Sequence, residues 1–194
     1  MLECMELVRC PWCQGDDDYI KYHDQEWGLP LKDNRMLFEF LILDGAQAGL
    51  SWLTILKRRE GYRNAFDHFD PEKMARYGEK DIERLMGDSR IIRNRRKILS
   101  AVENARSYLA MMEGPVPFSQ WLWNWVDGTP RVNHYKTLKE VPASTELSEK
   151  ISKELKKKGF SFVGPTIVYA FMQAAGMVND HLVDCFRYRE CSIS

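Results

Sequence analysis

The 194-residue chain is long enough for one compact domain, and with 44% hydrophobic and 12% aromatic residues it can bury a sizeable core. Its 28 basic and 28 acidic residues give a formal net charge of +0, which excludes a polycation that binds nucleic acid by bulk charge and leaves only local patches. No apolar run approaches the ~18 residues of a membrane span, and the opening MLECMELVRC lacks the features of a secretory signal. We expect a monomeric, cytosolic protein with no membrane partner.

The first helical patterns lie between residues 33 and 59. Asp33 is the predicted N-cap of a helix whose apolar face carries Leu37, Phe38, Leu41 and Ile42. We expect Gly45 and Gly49 to interrupt this helix. A second helix is predicted to begin after Ser51, with Trp52, Ile55 and Leu56 facing inward and with Lys57, Arg58 and Arg59 facing water.

Further helix signals follow along the chain. Asp70 and Pro71 place a capping side chain directly before a proline, which is a common helix start. Charged residues separate the apolar positions of a helix predicted over residues 91–109, and Ser144 or Thr145 caps a later one. No stretch alternates apolar and polar residues with period two. We therefore predict an all-α fold.

The segment KKKGFSFVGPTIVYAFMQAAG, residues 156–176, predicts two helices joined by a hairpin of six residues, Gly159 to Gly164. Gly159 can end the first helix in a left-handed turn, and Pro165 suits the first position of the second. The unpaired N–H groups and the dipole at a helix amino terminus suit a phosphate, and Lys156 to Lys158 add counter-charge. The alternative is an ordinary helical hairpin with a solvated lysine face.

Five cysteines are unevenly spaced, at Cys4, Cys10, Cys13, Cys185 and Cys191. The cytosol keeps thiols reduced, which argues against a disulfide framework and makes metal binding the sharper hypothesis. His181 and Cys185 are four positions apart, so on a helix their side chains would share one face and chelate one ion. Such an ion needs two more ligands from elsewhere in the chain.

Six motifs taken together carry a resemblance to a known family: RCPW, YHDQEWG, QAGLSW, GFSFVGPT, FMQAAGMVNDH and the final HxxxC. In order and approximate spacing they resemble the 3-methyladenine DNA glycosylase I family over residues 9–188. HDQEWG and VNDHxxxC together are specific, whereas GFSFVG alone is not. The resemblance implies one all-α unit with the helix-hairpin-helix glycosylase fold, divided into a terminal lobe of residues 1–35 and 166–194 and a helical lobe of residues 36–165.

The resemblance implies hydrolysis of the bond between C1′ of deoxyribose and an alkylated purine, 3-methyladenine, in double-stranded DNA. An alkylated purine is already a cationic leaving group, so no general acid has to protonate it. The wider helix-hairpin-helix glycosylases carry an aspartate after the hairpin, where this chain has Asn179 followed by Asp180. Asp180 either orients water or hydrogen-bonds a zinc ligand, and we favour the second role. No lysine suggests Schiff-base chemistry, so strand cleavage is not expected.

The resemblance also implies one structural zinc ion. Cys10 and His23 match the family's other two ligand positions and complete a Cys2His2 set with His181 and Cys185, a clasp between the two ends of the chain. Four protein ligands leave no position open for water, which is typical of a structural site. Cys13 of CPWC either takes the place of Cys10 or is a bystander.

Aromatic residues are implied around the extruded base. By resemblance Tyr22, Trp27 and Trp52 line its pocket, where electron-rich rings attract a cationic base by about 1–2 kcal/mol each. Trp12 and Tyr19 either join this lining or fill core. The base must first leave the stack, which costs least for a damaged base pair.

One acid departs from the family's pattern. The family has a glutamate directly ahead of the glycine in the segment leading to QAGLSW, and LILDGAQAGLSW places the shorter Asp44 there. We assign Asp44 as the catalytic residue of the pocket, because a site for a cationic base needs one acidic side chain. Its hydrogen bond to the exocyclic amine of the base is lost, passed to water or recovered by a small backbone shift. The alternative is an acid that caps the end of its helix.

DNA has to be held while the base is out of the stack. The resemblance implies that Gly49 and Leu50 of QAGLSW form the wedge that fills the gap. Contacts with the DNA backbone are assigned to Gly159, Phe160 and Gly164 of the hairpin and to Lys158, which precedes it. RIIRNRRK, residues 90–97, is either a further grip or an exposed helix face.

Two other functions remain open. The shortened acid motivates a non-catalytic lesion binder on the same fold, which holds alkylated DNA yet releases no base. The second is a zinc-stabilised helical interaction module whose aromatic residues are core and whose hairpin contacts a protein. A DNA affinity that falls with added salt contradicts the module, since only phosphate contacts predict that slope.

Overall fold

The computed structural model describes residues 7–192, so Cys4 lies outside the described residues. Most of these residues are helical, as predicted, and they form eleven α-helices. The first six are α1 (Asp17–Gln25), α2 (Asn34–Gln47), α3 (Trp52–Leu56), α4 (Arg59–Ala65), α5 (Pro71–Ala75) and α6 (Glu79–Gly87). The other five are α7 (Arg95–Met112), α8 (Phe118–Trp123), α9 (Glu146–Lys157), α10 (Pro165–Ala174) and α11 (Phe186–Glu190). Short 3₁₀ turns cover Pro11–Cys13, Asp67–Phe69, Asn124–Val126 and Leu138–Glu140.

Four helices start where their capping residues predict. Each capping side chain accepts a hydrogen bond from a backbone N–H of the first turn, which the helix itself leaves unpaired. The four caps are Asp33, Ser51, Asp70 and Thr145. Pro165 occupies the first position of α10, and Gly159 follows α9 with φ +90°, both as predicted.

Two predictions about α2 and α4 are wrong. α2 continues through Gly45 without a break, because burial of the helix on nearly every side outweighs the low helix propensity of one glycine. The glycine also leaves room for Phe162 of the hairpin, since a Cβ added there would come 3.4 Å from Phe162 Cβ. Arg59 does not face water, since it is buried and pairs with Glu39 at 2.8 Å and with Glu26 at 2.5 Å. Two carboxylates replace the water that this guanidinium loses.

Two further features of the structure differ from the predicted elements, and the hydrophobic periodicity of the sequence does not indicate either of them. α7 begins at Arg95, after its cap Asn94, so residues 91–94 belong to the preceding loop. β1 (Arg131–Val132) and β2 (Val178–Asn179) form a parallel pair. A pair of two-residue strands is too short to show a period-two pattern.

α2 is the central helix of the core. Its residues 37–46 are all buried, and α3, α7, α8 and α10 pack around it. The sequence LFEFLILDGA is apolar on nearly every side, which is typical of a helix without a solvent-facing stripe. Asp44 therefore lies inside the protein. No helix in residues 7–192 combines the length and the apolar character that crossing a membrane requires.

The two ends of the chain meet beside α10. The backbone N–H of Gly28 donates to the carbonyl oxygen of Gln173 at 3.2 Å, and that of Leu31 donates to Ala175 at 3.0 Å. β2 then leads directly into the VNDH segment. These contacts place the HDQEWG segment against the VNDH segment, while the division of the chain into two lobes stays a prediction.

The hairpin between α9 and α10 is held by side chains of neighbouring helices. Asn104 of α7 accepts a hydrogen bond from Ser161 N–H at 2.8 Å and donates one to Ser161 O at 3.0 Å. Ser152 of α9 donates its hydroxyl to Val163 O at 2.6 Å. These three bonds hold the loop in one conformation and set the start of α10.

Gly176→Ala should destabilise the fold strongly. Gly176 has φ +66°, and a Cβ there would lie 2.3 Å from the backbone carbon of Leu29. The matched control is Gly128→Ala, because Gly128 has φ +76° with open space around it. We expect losses in the free energy of unfolding of about 3 kcal/mol or more for Gly176→Ala and about 1–2 kcal/mol for the control. Urea denaturation measures both, and equal losses would mean that the backbone at Leu29 yields freely.

Candidate active site and candidate metal centre

Four buried side chains from opposite ends of the chain meet in one group, which we call the Cys2His2 cluster: Cys10, His23, His181 and Cys185. Their ligand atoms all lie within 4.8 Å of one another. Cys185 Sγ lies 3.4 Å from His23 Nε2 and 3.6 Å from His181 Nδ1, and Cys10 Sγ lies 3.7 Å from His181 Nδ1. Tetrahedral zinc with bonds of ~2.3 Å to sulfur and ~2.0–2.1 Å to nitrogen separates such ligands by about 3.6 Å. The donor set and its spacing therefore fit a four-coordinate metal ion.

In both histidines of the cluster, the ring nitrogen that faces away from the thiols has a partner. His23 Nδ1 lies 2.7 Å from Asp24 Oδ1, and His181 Nε2 lies 3.1 Å from the carbonyl oxygen of Trp27. Each acceptor takes an N–H and leaves the opposite nitrogen free to bind a metal. Burial raises the pKa of Asp24, but hydrogen bonds from Arg9 and His23 outweigh it and hold that pKa below its ordinary value. Sequence reasoning missed Asp24, although it stands next to His23.

The predicted helix between His181 and Cys185 is wrong. The intervening residues form a turn, closed by a hydrogen bond from Cys185 N–H to Leu182 O at 2.8 Å, and α11 begins only at Phe186. Leu182 N–H also points at Cys10 Sγ, at 3.4 Å. A turn therefore brings this pair together, and its backbone supports the thiol of the N-terminal segment as well.

The other described cysteines lie outside the cluster. Cys13 is buried, and its thiol donates to the carbonyl oxygen of Cys10 at 3.1 Å, so the structure places it beside the cluster and not in it. Cys191 is also buried.

Within the cluster, the hydrogen bond with Cys10, and those with both histidines, lower the pKa of the Cys185 thiol. A thiolate is the form that binds a metal.

A cavity of about 210 Å³ opens beside the cluster. All five predicted aromatic residues line it: Trp12, Tyr19, Tyr22, Trp27 and Trp52. The Trp12 ring lies edge-on to Tyr19 at 5.1 Å and to Trp27 at 5.0 Å between centroids. Tyr22 lies 5.5 Å from Trp52. The structure thus assembles one aromatic wall from segments that are separate in sequence, and it includes Trp12 and Tyr19, whose place the sequence left open.

Asp44 lies in the wall of this cavity. Its residue is 2% exposed, and its Oδ2 atom has no hydrogen-bond partner among the described residues. Burial raises the pKa of the Asp44 carboxyl well above its ordinary value, because the charged form loses its water. The capping alternative does not fit, since α2 continues past Asp44 to Gln47. A buried, unpaired carboxyl that lines an open cavity is available to a ligand.

Sequence reasoning missed several other residues of the cavity wall. Gln47 and Gln173 contribute amides, and Leu138 and Val141 add an apolar edge. The sequence does indicate Gln47 as a site residue, since it is the first residue of the QAGLSW motif. No sequence pattern indicates Leu138 and Val141, because they reach the cavity from a loop that is far away in sequence.

Asp180 lines the cavity too, and its expected bond to a zinc ligand is wrong. Its carboxylate accepts hydrogen bonds from Asn133 Nδ2 at 2.6 Å, Tyr169 Oη at 2.6 Å and Gln173 Nε2 at 2.8 Å. Asp24 is the acid that bonds a histidine of the cluster. Burial and the hydrogen bond to Asp180 raise the pKa of the Tyr169 hydroxyl, which therefore stays a donor.

The QAGLSW turn carries the predicted wedge next to the cavity. Gly49 is exposed with φ +77°, and Leu50 is partly exposed. Gln47 Nε2 donates to Leu50 O at 2.7 Å, which ties the turn to a residue of the cavity wall.

The basic run at residues 90–97 makes several contacts within the protein. Lys97 donates to two carbonyl oxygens at the end of α2, both at 2.7 Å. Arg90 pairs with Asp88 at 2.7 Å, and Arg95 pairs with Glu83 at 2.8 Å. Lys97 therefore closes the helix that carries Asp44 and does not reach outward toward DNA.

The hairpin residues divide between surface and core. The Phe160 side chain is buried and stacks on Phe118 with ring centroids 5.9 Å apart, so only its backbone is placed to reach a phosphate. Gly164 precedes α10 and offers no capping side chain. Lys158 Nζ lies 5.6 Å above the Trp121 ring. Of the residues assigned to contact DNA here, the groups placed to reach a phosphate are thus the exposed Lys158 side chain and the backbone of the hairpin.

Comparison with known proteins decides the family. The family model described as methyladenine glycosylase matches residues 12–188. The chain belongs to the methyladenine glycosylase family. It is 52% identical over 182 residues to DNA-3-methyladenine glycosylase 1 of Escherichia coli K12, an alignment that covers 94% of this chain and 97% of that protein. The family expected from the motifs is confirmed.

Solved structures of methyladenine glycosylases share the fold. A crystal structure of 3-methyladenine DNA glycosylase I matches with a TM-score of 0.91 and 50% identity, over 92% of this chain and 98% of that one. A tyrosine-to-phenylalanine variant of 3-methyladenine DNA glycosylase I in complex with 3-methyladenine matches with a TM-score of 0.89 and 40% identity, over 92% and 96%. A mostly helical glycosylase fold is thus confirmed, while the β1–β2 pair departs from the all-α prediction.

Asp44→Asn should stabilise the protein, and more so at higher pH. Because the pKa of Asp44 is raised in the folded state, ionisation of its carboxyl destabilises the fold. This destabilisation is absent at low pH and grows as the pH rises above the ordinary pKa of an aspartate. We expect a gain of about 1–3 kcal/mol in the free energy of unfolding at neutral pH, larger at about pH 8 than at about pH 5. Urea denaturation of Asp44→Asn and of the exposed control Asp127→Asn measures it. An equal gain at both pH values would contradict the buried-carboxyl interpretation.

Proposed function

We propose that this chain is a monofunctional DNA repair glycosylase that hydrolyses the bond between C1′ of deoxyribose and 3-methyladenine in double-stranded DNA. The observation that carries the proposal is the cavity, in which aromatic rings and a buried, unpaired carboxyl surround a space suited to a flat cation. Family membership supports the reaction class. The names of the relatives give the same substrate for those proteins. A monomeric state and a cytosolic location stay predictions.

The aromatic wall favours a cationic base over a neutral one. Adenine methylated at N3 in DNA is cationic, and a cation over an aromatic face gains about 0.5–2 kcal/mol per ring. Normal adenine is neutral, so it stacks on the same rings without this gain. Turning a base out of the duplex costs a few kcal/mol, and the extra attraction offsets that cost more fully for the lesion.

Cleavage needs no proton on the leaving group. The electron pair of the C1′–N9 bond passes to the ring and neutralises its charge, which leaves positive charge on the sugar. Water then adds to C1′ and releases a proton. Asp44 accepts a hydrogen bond from the exocyclic amine of the base, and the bound cation favours the charged form of its carboxyl against the effect of burial.

DNA is held at the QAGLSW turn and at the hairpin. Leu50, which follows the exposed Gly49, fills the gap left by the extruded base. The N–H groups that begin α10 bind a phosphate, and Lys158 adds positive charge. Gly159, Phe160 and Gly164 contribute backbone groups, which suits contacts that do not depend on the DNA sequence.

We infer that the Cys2His2 cluster holds one structural zinc ion. Thiol and imidazole ligands at the observed spacing suit zinc, and four protein ligands fill its coordination sphere. The ion would stabilise the junction between the HDQEWG and VNDH segments. The hydrogen bond between His181 and the carbonyl oxygen of Trp27 would then keep that ring in the cavity wall.

Purified protein should contain one zinc ion per chain, and the loss of metal should depend on which cysteine is changed. We expect Cys10→Ser to lose most of its zinc, because it removes a ligand, and the buried neighbour Cys13→Ser to keep it. Asp24→Asn should weaken zinc binding by about 10–100-fold, because it replaces the charged acceptor that orients His23 with a neutral amide. Elemental mass spectrometry and competition with a chelator measure both effects. Retention of zinc by Cys10→Ser and its loss from Cys13→Ser would assign the ligand to Cys13.

Methylated duplex DNA should release free 3-methyladenine when incubated with the wild-type protein, as detected by chromatography. At enzyme concentrations too low to saturate the DNA, Asp44→Asn should release it about 10²-fold more slowly, because the variant loses the charged hydrogen bond that binds the cationic base. The exposed Asp127→Asn is the matched control and should act like the wild type. Asp44→Glu tests whether a longer side chain reaches the base better.

Two results would replace this proposal. Release of base by Asp44→Glu but not by the wild type would identify a lesion binder that has kept the fold and lost the activity. DNA affinity that does not respond to added salt would favour a protein-interaction module, because phosphate contacts require a salt dependence.

A further inference from the structure

The proposed mechanism leaves one carboxylate of the cavity unused. Asp180 is 3% exposed and lines the same cavity as Asp44. It enters from the end of β2, whereas Asp44 enters from α2. The two acids also differ in their partners, since Asp44 Oδ2 has none among the described residues and Asp180 accepts three hydrogen bonds.

The partners of Asp180 orient its carboxylate but do not neutralise it. Tyr169, Gln173 and Asn133 are all uncharged donors, and they come from α10 and from the loop after β1. Within residues 7–192, no lysine, arginine or histidine forms an ion pair with Asp180. A carboxylate buried without a cation is costly, and an amide would serve more cheaply as a purely structural acceptor. The arrangement therefore suits a cation that arrives with a ligand.

We propose that Asp180 is a second catalytic residue of this chain, whose fixed negative charge stabilises the positive charge that develops on the deoxyribose as the bond to the methylated base breaks. This inference rests on the proposed function. It gives the two acids different tasks: Asp44 contacts the base, which loses its charge during the reaction, and Asp180 faces the sugar, which gains it.

The direction in which charge moves explains why a second acid is needed. A carboxylate beside the base attracts the substrate cation but loses that attraction in the transition state, so by itself it improves binding more than rate. A carboxylate held beside the sugar attracts the transition state more than the ground state. Three donors hold Asp180 in place before the reaction, so no reorganisation is needed as charge develops.

Single-turnover base release separates rate from binding. With enzyme in excess over methylated duplex, Asp180→Asn should lower the maximal rate by about 10²–10³-fold, with little change in the affinity for duplex DNA that carries a neutral tetrahydrofuran abasic site. The matched control is Asp184→Asn, which removes an exposed acid from the same loop and should act like the wild type. A wild-type maximal rate in Asp180→Asn would overturn the inference.

Abasic-site analogues test the charge directly. The wild type should bind duplex DNA with a cationic pyrrolidine in place of the sugar more tightly than DNA with the neutral tetrahydrofuran. Asp180→Asn should reduce this preference by about tenfold or more, because the attraction between the opposite charges is lost. Asp44→Asn should keep it, so this measurement still decides if Asp180→Asn fails to fold. Loss of the preference in Asp44→Asn would transfer the role to that residue and overturn the inference.

Tyr169→Phe distinguishes charge from packing. It removes one donor to Asp180 and leaves the carboxylate in place, so most of the maximal rate should remain. A loss as large as that of Asp180→Asn would show that Asp180 acts by organising its hydrogen-bond network and would overturn the inference. A wild type that releases no base would instead contradict the proposed function, whereas an active wild type with an unimpaired Asp180→Asn would contradict this inference alone.

Discussion

The junction between the two ends of the chain supports the rest of the candidate site, and it rests on the Cys2His2 cluster. His181 is hydrogen-bonded to the carbonyl oxygen of Trp27 at 3.1 Å, so one residue belongs to the cluster and its partner to the cavity wall. The Trp12 ring packs against both the cluster and the cavity wall, with its centroid 5.3 Å from that of His23 and 5.0 Å from that of Trp27. Any change that separates the ends of the chain therefore also opens the aromatic wall.

Several residues of the HDQEWG segment contribute to the candidate site, because the segment runs between the cluster and the cavity. Asp24 orients a histidine of the cluster, and Glu26 pairs with the buried Arg59 of the neighbouring helix α4. Gly28 allows this segment to approach the cluster closely, since a Cβ there would lie 2.8 Å from His181 Nε2. A short polar segment can pack this tightly because His23, Asp24 and Glu26 each have a defined partner.

The cavity combines two acids whose surroundings differ in kind. Asp44 is desolvated and unpaired on the central helix, which costs stability in the free protein. Asp180 is desolvated as well, but three donors fix its orientation. Binding sites often keep such unfavourable features, because a group that is satisfied within the protein has less to gain from a ligand. Lys97 supports this arrangement from outside by closing the end of α2, the helix that carries Asp44.

Local signals in the sequence determined the helix starts at Asp33, Ser51, Asp70 and Thr145, because a cap depends only on the next few residues. The motifs also determined the family, the four members of the cluster and the aromatic set, since their order and spacing resemble known glycosylases. Only the tertiary structure decided that Arg59 is buried, that Cys13 lies beside the cluster, that a turn joins His181 to Cys185 and that Asp180 faces the cavity with three donors. Each of these depends on partners that are distant in sequence, and periodicity and spacing carry no information about which distant side chains will meet.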